Sequence, residues 1–598
     1  MTVISALRGV SAFCALLICS FATGSWCAAE PRPGGGVSAA RCSPERWSRV
    51  ALNGRLAPRY LGNVQYLLDL HEKRREFMID AYRLREHRKK EADWDGEYAG
   101  KWLDAAARTA ANTGHAAIKE KALSLAAALR HCQQPDGYLG VFAPSERGKA
   151  EWDVWNQWYA LTGLIACAER LNDAESLQAA ERAGQWLLRT YAPVDRADHR
   201  FFKSAWGGGC NVDVCDQLLR LYAHGRDTRL LDFVRGVRQH YPPIQQMRRS
   251  GKAWQTHAYV LTGYLGAMAM LADLENNAAE LSWIETVWRD IRSRHLYPTG
   301  SLGLKESLSA DAPNDLPNAD HQETCATVEW MIFCHRLHRA TGKAFYADAI
   351  ENTIYNALLA AQTPDGKAWT YFTPLRYEKR PFRGPTACCY WSGPRGIAML
   401  PDLVYATAPG QVRIDLFEPS ETVLNVEGTP VRVVLTSNYP ADGHVAIAVQ
   451  PERPKEFTLS LRVPGWSSRA QAKVNGQDVS LSTVPGDYCR IHRRWSSGDR
   501  VEMTLSIPVV VRPLGDCGVA VARGPEVLAV DSRDNPKVDL DRITIPAEVR
   551  LAAAPSEGSR RRYVGQVRNE ARPAEVVFTP YADAGHGSRF RTVFSRLP

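Results

Sequence analysis

Metal-binding side chains concentrate at two places in this chain, His321-Gln-Glu-Thr-Cys325 and Thr386-Ala-Cys-Cys-Tyr390. Glu323, Cys325, Cys388 and Cys389 together offer three sulfurs and one carboxylate. That donor set suits tetrahedral Zn²⁺, which keeps its thiolates deprotonated at neutral pH. Adjacent cysteines close an ordinary disulfide poorly, because one peptide link conflicts with the torsion required at sulfur. The pair therefore reads as ligands, against the alternative that these are small apolar core fillers.

Glu323 and Cys325 lie two residues apart, so on one helix they would diverge by about 200°. The reading is an extended Glu-Thr-Cys lead-in, a helix from near Ala326 capped by Asp320 or Thr324, and a Cys388-Cys389 loop folded over it. Around this cluster one pattern repeats: an apolar-periodic segment, a short polar turn, a second amphipathic segment. Ala99 to Cys132 turns at Thr113-Gly114, Trp155 to Tyr191 at Leu171-Asn-Asp173, and Asn211 to His240 at His224-Gly-Arg-Asp227. His257 to Arg294 and Glu323 to Ala361, turning at Thr341-Gly342, continue the series. With Leu61 to Arg85 and Gly396 to Tyr405 completing a ring, the pattern predicts a closed barrel of about six helical hairpins, with an open solenoid as the competitor. Loops at one end of such a ring, among them Trp94-Asp-Gly-Glu97, Gln134 to Gly140, Trp206 to Asn211, Tyr297 to His321 and Tyr371 to Leu375, would gather into a site.

After Pro409 the period becomes alternating. Val431 to Leu435, Val445 to Val449, Phe457 to Val463, Ala472 to Val474, Tyr488 to His492 and Val501 to Ile507 read as strands of a β-sandwich punctuated by Gly, Pro and Asn turns. Val519 to Val530 and Ala574 to Phe578 add strands, and Ser556 to Arg562 reads as a charged surface loop. The fold class is thus multidomain α + β, an (α/α)6 helical barrel followed by β-sandwich modules. Its divisions are 1–29 a signal peptide, 30–59 a lead-in, 60–409 the barrel, 410–515 the sandwich and 516–598 a further β region.

Arg8, the apolar run from Gly9 to Ala22 and the small residues at Cys27-Ala28-Ala29 are the marks of a secretory signal, which predicts an exported, periplasmic or extracellular protein. No later segment offers the roughly 18 apolar residues of a membrane span. The formal charge of +9 is spread through the chain without the basic face that nucleic acid requires. Of 14 cysteines, those beyond Ala29 are odd in number and irregularly spaced, unlike a disulfide framework; Cys210 and Cys215 remain open to pairing.

Gly100-Lys-Trp102, Gln134-Pro-Asp-Gly-Tyr-Leu-Gly140, Glu323-Thr-Cys-Ala326, Cys388-Cys389, Leu461-Arg-Val-Pro-Gly-Trp466, Val474-Asn-Gly476, Trp495 with Gly498-Asp499, and Arg523-Gly-Pro525 follow one another as in a known family. Over most of its length the chain resembles glycoside hydrolase family 127, the β-L-arabinofuranosidase-like enzymes. The resemblance implies a zinc site of Glu323, Cys325, Cys388 and Cys389 at the barrel mouth, Cys388 as nucleophile of a retaining reaction, and Glu306 as acid/base. Glu97 and Asp320 are next in line for that role. It also implies an oligosaccharide or polysaccharide substrate and pocket roles for His257 and Tyr371, with Asn211 and Gln157 as further substrate-binding candidates. Several relatives carry histidine near Gln157 and proline after the cysteine pair, where this chain has Tyr390-Trp391, so the sugar pocket is altered.

Two other functions compete. A carbohydrate-binding paralogue would use zinc only to staple the barrel mouth. A lyase or isomerase could use the same barrel, but it would need a tyrosine or histidine base and an arginine clamp, which form no cluster in the sequence.

Overall fold

A computed structural model describes residues 48–85, 92–309, 322–382, 384, 387–479, 484–558, 560–570 and 572–597. The proposed signal segment, Asp320 and His321 lie outside these residues.

Among the described residues, twelve helices build the helical half: α1 (Leu56–Leu84), α2 (Glu97–Thr113), α3 (Ala116–His131), α4 (Asp153–Leu171), α5 (Ala174–Tyr191), α6 (Cys215–Gly225), α7 (Thr228–His240), α8 (Ala258–Leu274), α9 (Ala278–Arg294), α10 (Thr324–Thr341), α11 (Ala344–Thr353) and α12 (Cys388–Ala398), with shorter helical turns such as Pro242–Ser250 between them. The inner helices α2, α4, α6, α8, α10 and α12 each pack on the next, and α12 returns to α2, so the ring closes. Outer helices α3, α5, α7, α9 and α11 pair with the inner helix before them, and α1 packs against α12.

Sequence explains which helix lies where. α8 (AYVLTGYLGAMAMLADL) is apolar nearly all round and buried along most of its length, as a helix between two layers must be. α5 carries a single buried stripe through Ala179, Ala183, Leu187 and Leu188. Most hairpin turns share one device: a left-handed residue ends the first helix and a capping side chain starts the next, the Gly342-Lys343 turn lacking the side-chain cap. Asn172 (φ 59°) precedes Asp173, which accepts from Ser176 N, and Arg226 (φ 56°) precedes Asp227, which accepts from Arg229 N. Both halves answer the unpaired groups at helix ends. At Gly100 the α2 and α4 backbones approach so closely that a Cβ would overlap the Tyr159 carbonyl.

A seven-stranded and a four-stranded sheet follow, sharing one apolar core with the barrel. The lead-in supplies an edge: Val50–Leu52 pairs antiparallel with Ser420–Val426. A ten-stranded sheet ends the chain, and the barrel segment Arg376–Tyr377 adds to it through Phe590–Arg591.

Several sequence readings are corrected. α10 begins at Thr324, two residues before the expected start, and Thr324 does not cap it; its hydroxyl donates to the Thr370 carbonyl at 2.9 Å. Cys388 and Cys389 open a helix instead of lying in a loop, and that helix tolerates Pro394 within it. The last ring element is accordingly α12, not Gly396 to Tyr405. Ser556 to Arg562 is the tip of a hairpin whose strands are Leu551–Glu557 and Arg560–Asn569; its arginines face Glu526 and Asp534 instead of water. Cys210 and Cys215 are buried free thiols.

Candidate functional site

Two helix N-termini meet at the barrel mouth. The two-residue strand Gln322–Glu323 pairs with Phe372–Thr373, which fixes Glu323 immediately before α10 and Cys325 in its first turn. Cys388 and Cys389 occupy the first turn of α12. The positive ends of both helices thus face the sulfurs, where negative charge is favoured. One ligand atom from each of Glu323, Cys325, Cys388 and Cys389 lies within 4.8 Å of the others. Cys389 Sγ lies 3.6 Å and Cys388 Sγ 3.8 Å from Glu323 Oε1, and the Cys325 N–H donates to Cys389 Sγ at 3.4 Å. Glu323, Cys325 and Cys389 are buried, whereas Cys388 is only partly so, which leaves it the sulfur a substrate can reach.

Electrostatics separates the four. Hydrogen bonds from the Cys325 and Cys389 thiols, helped by the Lys101 ammonium, hold the Cys388 thiol well below its usual range even though burial opposes this. Burial, then the negative charge on Cys388, pushes the Glu323 carboxyl well up, and Glu323 Oε2 is buried without a hydrogen-bond partner. A thiolate beside a crowded, half-satisfied carboxylate is the arrangement a divalent cation relieves. The residues present therefore fit zinc.

Below the cluster a buried cation sits on α2. Lys101 Nζ is 2.8 Å from Glu97 Oε1, both side chains 1% exposed, and Trp155 Nε1 donates to Glu97 Oε2 at 2.8 Å. Burial raises the Glu97 carboxyl to about 7 against the pull of Lys101. Lys101 also lies 4.8 Å from the centroid of Tyr159, whose hydroxyl is hydrogen-bonded to that of Tyr259.

Glu306 lies on the expected loop, its side chain 29% exposed, with Oε2 3.4 Å from His257 Nε2. Lys305 (φ 46°) and Glu306 (φ 69°) are consecutive non-glycine residues in the left-handed region. The Glu306 carbonyl anchors the turn by accepting from Ala258 N at 2.7 Å. His257 caps α8, its Nδ1 accepting from Tyr259 N at 3.2 Å; the ring proton therefore sits on Nε2, facing the carboxylate. Strained backbone held in place by its surroundings is common where a side chain must be aimed.

Tyr371 joins the cluster, its hydroxyl 3.6 Å from Cys388 Sγ and placed to donate to the ionised sulfur. Gln157 and Asn211 do not: Gln157 Nε2 donates to Asp153 at 3.4 Å and Asn211 Nδ2 to the Phe201 carbonyl at 2.9 Å. Each keeps a buried amide oxygen without a partner. Sequence reasoning passed over Lys101, quoted only within a motif. The signal was its spacing from Glu97 on a helix whose other face is apolar.

The match to known families is extensive. Residues 51–402 match the β-L-arabinofuranosidase GH127 catalytic domain, and 411–507 the GH127 middle domain. The chain belongs to glycoside hydrolase family 127. It is 25% identical, over 73% of its length and 75% of the relative's, to a non-reducing end β-L-arabinofuranosidase of Bifidobacterium longum subsp. longum. Its fold is that of a solved GH127 β-arabinofuranosidase (TM-score 0.80, 21% identity, 94% of this chain and 98% of that one). A GH127 β-L-arabinofuranosidase from Geobacillus stearothermophilus T6 is similar to the same degree (TM-score 0.79, 21% identity, 92% and 100%). This family member is thus a glycoside hydrolase whose sulfur–carboxylate cluster stands at the barrel mouth.

Proposed function

We infer that this hydrolase is a zinc-dependent retaining enzyme that releases L-arabinofuranose, or a closely related sugar, from plant-type glycans, with Cys388 as nucleophile. The observation that carries the reading is the convergence of Glu323, Cys325, Cys388 and Cys389 within 4.8 Å, with Cys388 alone partly open. Zn²⁺ held by these four residues would keep the sulfurs ionised and make the Cys388 sulfur a better leaving group.

The chain's own residues then divide the work. Cys388 sulfur forms a bond to the anomeric carbon as the bond to the leaving oxygen breaks, and Glu306 gives its proton to that oxygen. Glu306, now a carboxylate, takes a proton from water as the water oxygen bonds to the anomeric carbon and the carbon–sulfur bond breaks. Two displacements at one carbon retain configuration. The His257 N–H holds the Glu306 carboxylate in position, and the Tyr371 hydroxyl steadies the Cys388 sulfur. We also propose export, on the basis of the apolar run from Gly9 to Ala22 and the small residues that follow it; a mature N-terminus found near Glu30 in the exported fraction would support this.

The test is covalent labelling with a furanose-configured epoxide. The added mass should fall on the peptide containing Cys388 and be absent in Cys388→Ala, which should also lose turnover. A label on Glu306 or Glu323 would restore an ordinary pair of carboxylates. Zinc-loaded protein that binds sugars but hydrolyses none of a furanoside and pyranoside panel would make it a binding protein.

A further inference from the structure

We propose that Trp206 is the platform of a leaving-group subsite, which takes the second sugar of an oligosaccharide across the face of its indole. This rests on the hydrolase reading above and adds a preference for glycosides whose leaving group is itself a sugar.

The indole is where an unassisted fold would not put it. Trp206 is 37% exposed, and its φ of 52° opens a run of three left-handed residues with Gly207 (65°) and Gly208 (93°). A bulky residue in that region is strained and persists only where the surroundings enforce it. Here Tyr241 Oη donates to the Gly207 carbonyl at 3.0 Å and pins the turn.

The strained turn lays the ring against the acid's own partner. Trp206 lies 4.2 Å, centroid to centroid, from His257, tilted by 41°, and His257 Nε2 is the atom 3.4 Å from Glu306 Oε2. On its other side Trp206 meets Trp152 edge-on at 5.2 Å, and Trp152 meets Trp94 at 5.1 Å. Trp152 and Trp94 are themselves only partly buried. A strip of indoles thus leads away from the acid, beginning at the carboxyl that must protonate the departing oxygen. Whatever carries that oxygen lies on the same side. A sugar ring offers an apolar C–H face that packs on an aromatic ring while its hydroxyls stay in water, and indole is the side chain with most surface for this contact. Binding energy gained there, away from the reacting carbon, is what a hydrolase uses to position its substrate.

The experiment compares the full-length zinc enzyme and its variants on two substrates with the same terminal sugar, a methyl furanoside and the corresponding disaccharide. Trp206→Ala should lower the disaccharide-to-methyl ratio of kcat/KM by about tenfold, mostly through KM, and Trp206→Phe should keep most of the ratio. An equal fall on both substrates would overturn the proposal and leave Trp206 as a support for His257. If the enzyme turns over neither substrate, the hydrolase reading fails and the subsite is judged by binding. Quenching of tryptophan fluorescence by an arabinan oligosaccharide that is lost in Trp206→Ala would support the subsite; absent or unchanged binding would overturn it.

Discussion

Removing one partner of the buried Glu97–Lys101 pair should cost far more than removing the other. Both side chains are 1% exposed and 2.8 Å apart. With its carboxyl at about 7, Glu97 already spends much of its time protonated at neutral pH. In Lys101→Met the carboxyl simply stays neutral, still accepting from Trp155, and the burial cost of an ammonium disappears; the expected loss is under about 1 kcal/mol. In Glu97→Gln the ammonium loses its contacting counter-charge and keeps only the Cys388 thiolate and the Tyr159 ring, and the new amide N–H₂ faces either Lys101 or the Trp155 N–H, donor against donor. Lys101 must then remain a buried charge without its carboxylate or give up its proton at pH 7. Stranding one half of a buried pair costs about 3–5 kcal/mol, a large share of an ordinary folding stability of about 5–15 kcal/mol. The assay is thermal and urea unfolding of the two variants beside the parent at pH 7. Glu97→Gln should lower the melting temperature by several degrees and Lys101→Met hardly at all. A Lys101→Met loss equal to that of Glu97→Gln would refute the reasoning, since it would mean the carboxylate is the charged member that needs its partner.

Purified protein should carry about one zinc per chain, and Cys325→Ser should lower that content in elemental analysis while leaving Cys388 available to alkylation. Chelation should reduce activity and melting temperature together, because a site assembled only in the folded state contributes its binding energy to folding. His338 donates or accepts at Tyr488 Oη (2.8 Å) between barrel and sandwich, and burial lowers it to about 4. A folded value below the unfolded 6.5 means that its stabilising contribution is complete above pH 6.5 and is lost as pH falls toward 4, about 3 kcal/mol in all. His338→Gln should flatten that acid limb in unfolding measured across pH. Gly100→Ala should yield little folded protein, with a loss of at least about 3 kcal/mol, because the added methyl meets a backbone carbonyl that cannot turn aside; soluble yield and melting temperature read it out.

The repeating helical hairpins and the convergence of Glu323 with three cysteines were legible because each depends on local sequence: a 3.6-residue period with capped turns, and a rare grouping of sulfur with carboxylate. Less legible were features decided by packing. Cys388 and Cys389 read as a loop folded over α10, yet contacts with α2 and α10 hold the segment helical through Pro394. Glu97 and Lys101, four apart, have the spacing of a solvated surface pair, and only ring closure buries them. Ser556 to Arg562 looked like a wet loop because its arginines are adjacent, but Asp534 and Glu526 across the sheet receive them. Gln157 and Asn211 carry the chemistry of sugar-binding residues, and in the fold their amide N–H₂ groups bond to Asp153 and the Phe201 carbonyl.

The pairing of α1 with α12 sets a clock on assembly. Roughly 300 residues separate Leu84 from Cys388, so at synthesis rates of about 5–20 residues per second the first helix waits on the order of 15–60 seconds for its neighbour. Until then α2 and α3 already cover part of its apolar face, and only the side where Tyr66 and Phe77 meet Tyr390 and Trp391 stays open. The helix that ends the wait also brings Cys388 and Cys389 to Glu323 and Cys325. The Glu–Cys cluster is therefore complete only at the last step of ring closure, and an incomplete chain has neither a sealed barrel nor an assembled cluster.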